Sequence, residues 1–199
     1  YTEQSALLRI EEEYESKRLD NMLDENGYKD KTDYTFITLN AKPEIPFDEL
    51  KAATEDIVSK VGWIRDNEYS YVYEQRGDNP GEYSGYHVHM VVKTKDTALT
   101  QIRRDLKRKA ARILDMDIVK SFDKGKNRKG PLSILPNRQI DNTLKYMLDW
   151  KKDIKKHAKQ IIDKEFREKY KLDRIYDNPN FENKLSSLYI GDIQDGSGT

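Results

Sequence analysis

The sequence predicts an α+β domain, an antiparallel sheet with helices packed against it, and three observations carry that expectation. Segments rich in β-branched and aromatic residues alternate with amphipathic helical spacings along the chain. Two of the strand-like segments, Ser70 to Gln75 and Tyr86 to Lys93, are joined by RGDNPGEYSG, a loop of hairpin rather than crossover type. A last segment of helical periodicity follows the strands.

Taken in order, Thr2 to Leu23 spaces Leu7, Leu8, Ile10, Tyr14 and Leu19 among many charges, which predicts an exposed amphipathic helix. After Asn26-Gly27, DYTFITLN (Asp33 to Asn40) reads as a strand that ends before Lys42-Pro43. Phe47, Leu50, Ile57 and Val61 recur at helical intervals, and the hairpin comes next. Ala98 to Leu114 is a basic helix, and DIVKSF (Asp117 to Phe122) is the expected fourth strand. The loop DKGKNRKGP and a short apolar piece, LSIL, precede Pro136. A long helix is expected from about Asp141 toward Tyr170, with Leu144, Met147, Leu148, Ile154, Ala158, Ile161, Ile162 and Phe166 at i, i+3 and i+4 spacing. The order β-α-β-β-α-β plus a helix is the ferredoxin-like, or split β-α-β, pattern. Expected boundaries are a helical extension over 1–28, the domain over 29–178 and a flexible tail over 179–199.

Composition narrows the function classes. The 199 residues are 36% charged, with mean hydropathy −0.96 and no apolar run long enough to span a membrane. The absence of cysteine excludes disulfides and thiolate metal sites, and it suits an intracellular setting. The formal net charge of zero hides a segregation: Lys93 to Arg174 holds 25 Lys+Arg against 12 Asp+Glu, a surplus of 13 balanced by the remainder. Such a block points to a polyanionic partner.

Chemistry concentrates in GYHVHMVVK. Of three histidines in the chain, His87 and His89 stand one residue apart in a strand, so both project from one face. On the paired strand Glu74 shares a face with Val72 and offers a carboxylate. Two neutral imidazoles and a carboxylate suit a divalent ion with open positions. A bound ion of that kind polarises a phosphoryl oxygen but needs a nucleophile beside it. Tyr146, in LKYMLDWKKD, shares a helical-wheel face with Asp149, Trp150 and Asp153. From the residues alone, it either faces the metal or packs as an aromatic at a helix edge.

TFITLN (Thr35 to Asn40), Glu74 with YHVHMVV, and Tyr146 on a late helix resemble, in that order, the HUH endonucleases, in particular the rolling-circle replication initiators (Rep proteins) of small circular single-stranded DNA viruses and plasmids. The resemblance covers about residues 33 to 155. It implies that His87 and His89 ligate Mn²⁺ or Mg²⁺ with Glu74 as third ligand. It further implies that Tyr146 attacks a phosphodiester to form a 5′-phosphotyrosine, a linkage that can later be resealed. Asn40 and Thr38 would lie near the DNA or the metal shell. The family's lysine three or four residues after the tyrosine is missing, since Asp149 and Trp150 stand there. Lys93, Lys145 or Lys151 would have to supply that charge, and Asp149 can approach the metal.

The implied substrate is single-stranded or stem-loop origin DNA. Arg103, Arg104, Lys107, Arg108 and Lys109 on one helix, and Lys124, Lys126, Arg128 and Lys129 in one loop, can follow its backbone, with Trp150, Tyr83 and Tyr86 stacking on bases. No G-x-x-x-x-G-K-[ST] occurs, so a helicase domain beyond this segment, or a host helicase, is the expected partner. The place of action is then wherever the viral or plasmid DNA replicates, host nucleus or cytoplasm. Competing readings are an HUH transposase or relaxase, which for a relaxase would usually show a third histidine in the cluster, and a non-enzymatic ferredoxin-like nucleic-acid-binding module. A 2H-type phosphoesterase would need two His-x-Thr/Ser motifs, and the only other histidine is His157.

Overall fold

The structure, a computed structural model, describes residues 3–28, 33–94, 97–114, 132–135, 141–150 and 154–189, with the side chains of Glu3, Asp141 and 154–158 excepted. Helix α1 (Glu3–Leu23) leads to strand β1 (Tyr34–Asn40), helices α2 (Phe47–Lys60) and α3 (Gly62–Arg65), and the hairpin β2 (Tyr69–Glu74) and β3 (His87–Lys93). Helix α4 (Leu99–Ala110), strand β4 (Leu132–Leu135), helices α5 (Asp141–Met147) and α6 (Ile154–Tyr170) and strand β5 (Tyr176–Asp177) complete the fold. The five strands form one sheet in the order β4-β1-β3-β2-β5, and every pair is antiparallel.

Strand alternation divides the apolar residues between two cores. Ile37, Leu39, Tyr71, Tyr73, Val88, Met90 and Val92 face α2 and α4, where they meet Phe47, Leu50, Ile57, Ile102 and Leu106, with Phe166 of α6. Phe47 holds that core together, in edge contact with Tyr73 at 5.2 Å and Phe166 at 5.1 Å. The opposite face carries Tyr34, Phe36, Val72 and Val91, covered by Leu19 and Leu23 of α1, Leu144 and Met147 of α5, and Leu185 and Leu188. Each of these aliphatic side chains contributes about 1.5–3 kcal/mol by leaving water. Glu74, His87 and His89 belong to this second face.

Four features depart from the sequence expectation. The expected strand at 117–122 lies outside the described residues, and an unexpected strand, Leu132–Leu135 (LSIL), pairs with β1. The tail expected to be flexible from 179 is docked as far as 189: Leu185 is fully buried, and its backbone N–H donates to Asp177. Helix α1 buries Leu19 and Leu23, whereas Leu7, Leu8, Ile10 and Tyr14 are exposed.

Most consequentially, the long helix is two helices. Asp149 adopts φ 68°, and its N–H donates to the Tyr146 carbonyl at 3.1 Å while the Trp150 N–H donates to the Lys145 carbonyl at 3.0 Å. This is a Schellman stop, with Asp in the left-handed position usually taken by glycine. Aspartate is held there by its carboxylate, which accepts from Arg174 at 2.6 and 2.8 Å and from the Tyr189 hydroxyl at 3.2 Å, with Arg167 at 3.7 Å. The wheel face shared by Tyr146, Asp149, Trp150 and Asp153 therefore does not exist as such, since the helix has ended at Asp149; Asp153 lies outside the described residues.

Asp149→Ala should lower stability by about 3–5 kcal/mol in urea unfolding, because it strands the buried Arg174 guanidinium and puts a Cβ-bearing residue without a local partner at positive φ. A loss below about 1 kcal/mol would mean that the cluster contributes no more than an exposed ion pair.

Candidate metal centre

The hairpin register builds the site. Glu74 of β2 pairs with His87, Val72 with His89, and on the other side of β3 Asn40 pairs with His87 and Thr38 with His89. Glu74 and His87 are buried, at 3% and 6% exposure, and His89 is half-buried. The two imidazole rings meet edge to face at 4.8 Å, and each turns its Nε2 toward one oxygen of Glu74, at 3.6 Å for His87 and 3.7 Å for His89. The ligand atoms of the three side chains lie within 4.8 Å of one another.

The outer nitrogens fix that orientation. His87 Nδ1 lies 3.0 Å from the Gly85 carbonyl, which can only accept, so Nδ1 carries the proton and a neutral ring keeps its Nε2 lone pair for the centre. His89 Nδ1 is hydrogen-bonded to Thr38 Oγ1 at 2.9 Å, and its ring stacks on Phe36 at 5.3 Å. The His87 lone pair and a carboxylate, converging in a buried place beside the Nε2 of His89, call for positive charge among them. The donor set of two nitrogens and a carboxylate oxygen, with outer-sphere partners already in place, forms a coordination site for a divalent ion such as Mn²⁺ or Mg²⁺. Of the three expected ligands, all are brought together.

Tyr146, in the last turn of α5, completes the geometry. Its hydroxyl donates to Glu74 Oε2 at 2.9 Å, and its ring meets that of His89 edge to face at 5.7 Å. Burial pushes this hydroxyl well above the ordinary tyrosine range; the facing Glu74 charge and hydrogen bond add to the effect, as does Asp163, while Arg174 opposes it. The phenol is therefore held protonated against the carboxylate. Helix α5 is fixed there by buried Leu144 and Met147 and by Lys145, whose Nζ reaches Asp20 at 2.7 Å and Ser16 at 2.9 Å on α1.

The expected charge partners lie elsewhere. Lys93 pairs with Glu68 at 3.0 Å, three rows along β3 from His87. Lys145 is committed to α1, Asp149 to Arg174, and Lys151 lies outside the described residues. Trp150, expected to stack on bases, lies against Lys145 Nζ at 5.4 Å and lines a groove with Arg9, Glu12 and Lys17 of α1. Arg103, Arg104, Lys107 and Arg108 are exposed on α4, which packs on the sheet face opposite the histidines. Lys124, Lys126, Arg128 and Lys129 lie outside the described residues, as does the His157 side chain. Asn40 accepts a hydrogen bond from Arg76, a residue the sequence reading passed over as part of the loop. Its parity with Glu74, two residues upstream, was the signal available.

His89→Ala or Glu74→Ala should abolish measurable Mn²⁺ binding in a calorimetric titration at micromolar protein. Thr38→Val, which leaves all three ligands but releases the His89 ring, should weaken it about 10–100-fold. Unchanged affinity in His89→Ala would exclude this site as the metal centre. Comparison of the chain with protein-family models, with curated proteins and with solved structures finds no match, so the functional reading stands on this geometry.

Proposed function

We propose that the chain is a metal-dependent enzyme that nicks and rejoins single-stranded DNA through Tyr146, in the manner of HUH replication initiators acting at a stem-loop origin. The observation that carries this reading is the 2.9 Å hydrogen bond from the Tyr146 hydroxyl to a carboxylate that is itself one of three convergent metal donors. A tyrosine buried only for packing would not need a charged acceptor shared with two imidazoles.

In this mechanism the Tyr146 oxygen attacks phosphorus in line, the P–O3′ bond breaks, and the 5′ phosphate remains as a tyrosyl phosphodiester. The 3′ oxygen leaves and takes up a proton as a hydroxyl, and attack by a 3′ hydroxyl on the tyrosyl ester reverses the step. The phenolic proton has Glu74 Oε2 as acceptor at 2.9 Å. Burial keeps this phenol protonated against Glu74, so its proton must leave before or as the oxygen attacks. When bound by Glu74, His87 and His89, Mn²⁺ or Mg²⁺ supplies Lewis-acid polarisation of a phosphoryl oxygen.

Two further features support the finer reading. The order β4-β1-β3-β2, with α2 and α4 on one face, is that of a ferredoxin-like sheet with β5 added at its edge. The exposed cations of α4 offer a second surface that suits a nucleic-acid backbone. Under this reading a helicase, fused or separate, unwinds the nicked DNA.

Incubation with a broad pool of labelled single-stranded oligonucleotides and Mn²⁺ should give an adduct that survives denaturation and runs at the protein's mass plus that of the 3′ fragment. Tyr146→Phe should abolish the adduct while binding Mn²⁺ like the wild type. An adduct of equal yield in Tyr146→Phe, or none in the wild type across the pool, would sink the mechanism.

A further inference from the structure

We infer that Arg76 is the cation that meets the phosphate at this site, with Asn40 orienting its guanidinium. This rests on the nucleic-acid reading of the site and names the side chain that takes the role for which neither Lys93 nor Lys145 is free.

The placement follows from the hairpin. Residues 74 and 76 have the same parity, and the ladder continues past the end of β2 through the Arg76 N–H, which donates to the Ser84 carbonyl at 2.7 Å. Arg76 thus begins the row next to the one formed by Glu74, His87 and Asn40, about 6–7 Å along the strand. From there its side chain crosses β3 to β1: the stem passes Gly85, and the guanidinium Nη2 donates to Asn40 Oδ1. The side chain therefore spans the sheet along the open side of the metal row.

Gly85 makes that crossing possible. It sits at φ +60°, and a Cβ there would lie 3.0 Å from Arg76 Cβ and 3.4 Å from its Cγ and Cδ. A side chain at 85 would strain the backbone and displace the arginine stem. The same glycine supplies the carbonyl that fixes the His87 tautomer, so one residue sets both the ligand and the neighbouring cation.

Charge bookkeeping separates Arg76 from its neighbours. Arg174 and Arg167 share the one carboxylate of Asp149, Lys93 pairs with Glu68 and Lys145 with Asp20. Arg76 is exposed and makes no ion pair with a carboxylate among the described residues; its side-chain partner there is a neutral amide. A guanidinium held by one N–H and presenting the others to solvent is suited to bidentate contact with a phosphodiester. A hairpin brace would serve as well with a neutral side chain, whereas a phosphate contact requires the charge.

Two measurements test this. Binding of a fluorescein-labelled single-stranded oligo-dT to the metal-free Tyr146→Phe protein should weaken about 3–10-fold on adding Arg76→Ala, and the slope of log K against log salt should become shallower by about 0.7, the value for one lost phosphate contact on a single strand. In nicking with Mn²⁺, Arg76→Ala should lose about 100-fold in rate at unchanged Mn²⁺ affinity, Arg76→Lys should lose less, and added guanidinium should partly restore Arg76→Ala. An unchanged salt slope, or an Arg76→Ala protein that nicks at the wild-type rate, overturns the inference and leaves the proposed activity intact. A wild type that never nicks but loses salt slope on Arg76→Ala removes the activity and keeps the phosphate contact.

Discussion

A carboxylate at 3% exposure is expensive to bury, and the way Glu74 is compensated organises the site around it. Its position at the end of β2 is forced by alternation, because Val72 and Ser70 on the same face lead directly to it. Direct compensation comes from the Tyr146 hydroxyl on α5, while Nε2 of His87 and His89 from β3 converge on the same oxygen. For a neutral His87 ring, protonated on Nδ1, that nitrogen points a lone pair, not a proton, at the carboxylate. The pocket is thus arranged for a cation at its centre, and Gly85 and Thr38 hold the rings in that arrangement even before one is present.

Tyr146 depends on this core through the way its helix ends. Had the helix continued through Asp149, residues after Tyr146 would have projected along the same axis and left no connection to the 174–189 segment. The Schellman stop redirects the chain, and Asp149 ties the stop to Arg174, Arg167 and Tyr189. Arg174 also donates to the Tyr146 carbonyl at 3.5 Å. The position of Tyr146 is therefore set by residues far along the chain, Arg167, Arg174 and Tyr189, the last of them in the segment that composition alone marks as tail.

What the sequence made legible and what it concealed divide along the same physical line. Alternation and register are local, so the hairpin, the shared face of His87 and His89, and the membership of Glu74 could be read from spacing. Helix periodicity is also local, but its interruption is not: Leu144 through Phe166 keep helical intervals across the break, and aspartate is a poor sequence signal for a left-handed stop. Its stabilisers, Arg174 and Tyr189, lie 25 and 40 residues away. The short strand LSIL was hidden for a related reason, since four residues, three of them apolar, carry too little periodicity to distinguish strand from loop. Lys93 and Lys145 are taken up by Glu68 and Asp20, acceptors whose proximity only the tertiary fold creates.

The exposed cations of α4 and the metal row lie on opposite sides of the sheet. A sheet and half a helix put roughly 15 Å between them, more than the Debye length of about 8 Å at physiological salt. If the proposed activity holds, the α4 surface suits a polyanion but does little to stabilise charge developing at Tyr146. Beside the metal row the positive groups among the described residues are Arg174, which donates to the Tyr146 carbonyl, and Arg76, whose guanidinium donates to Asn40. A polyanion that touched both faces would have to pass around an edge of the sheet, so under the proposed activity affinity and chemistry would be separable, the first resting on α4 and the second on the β2–β3 hairpin.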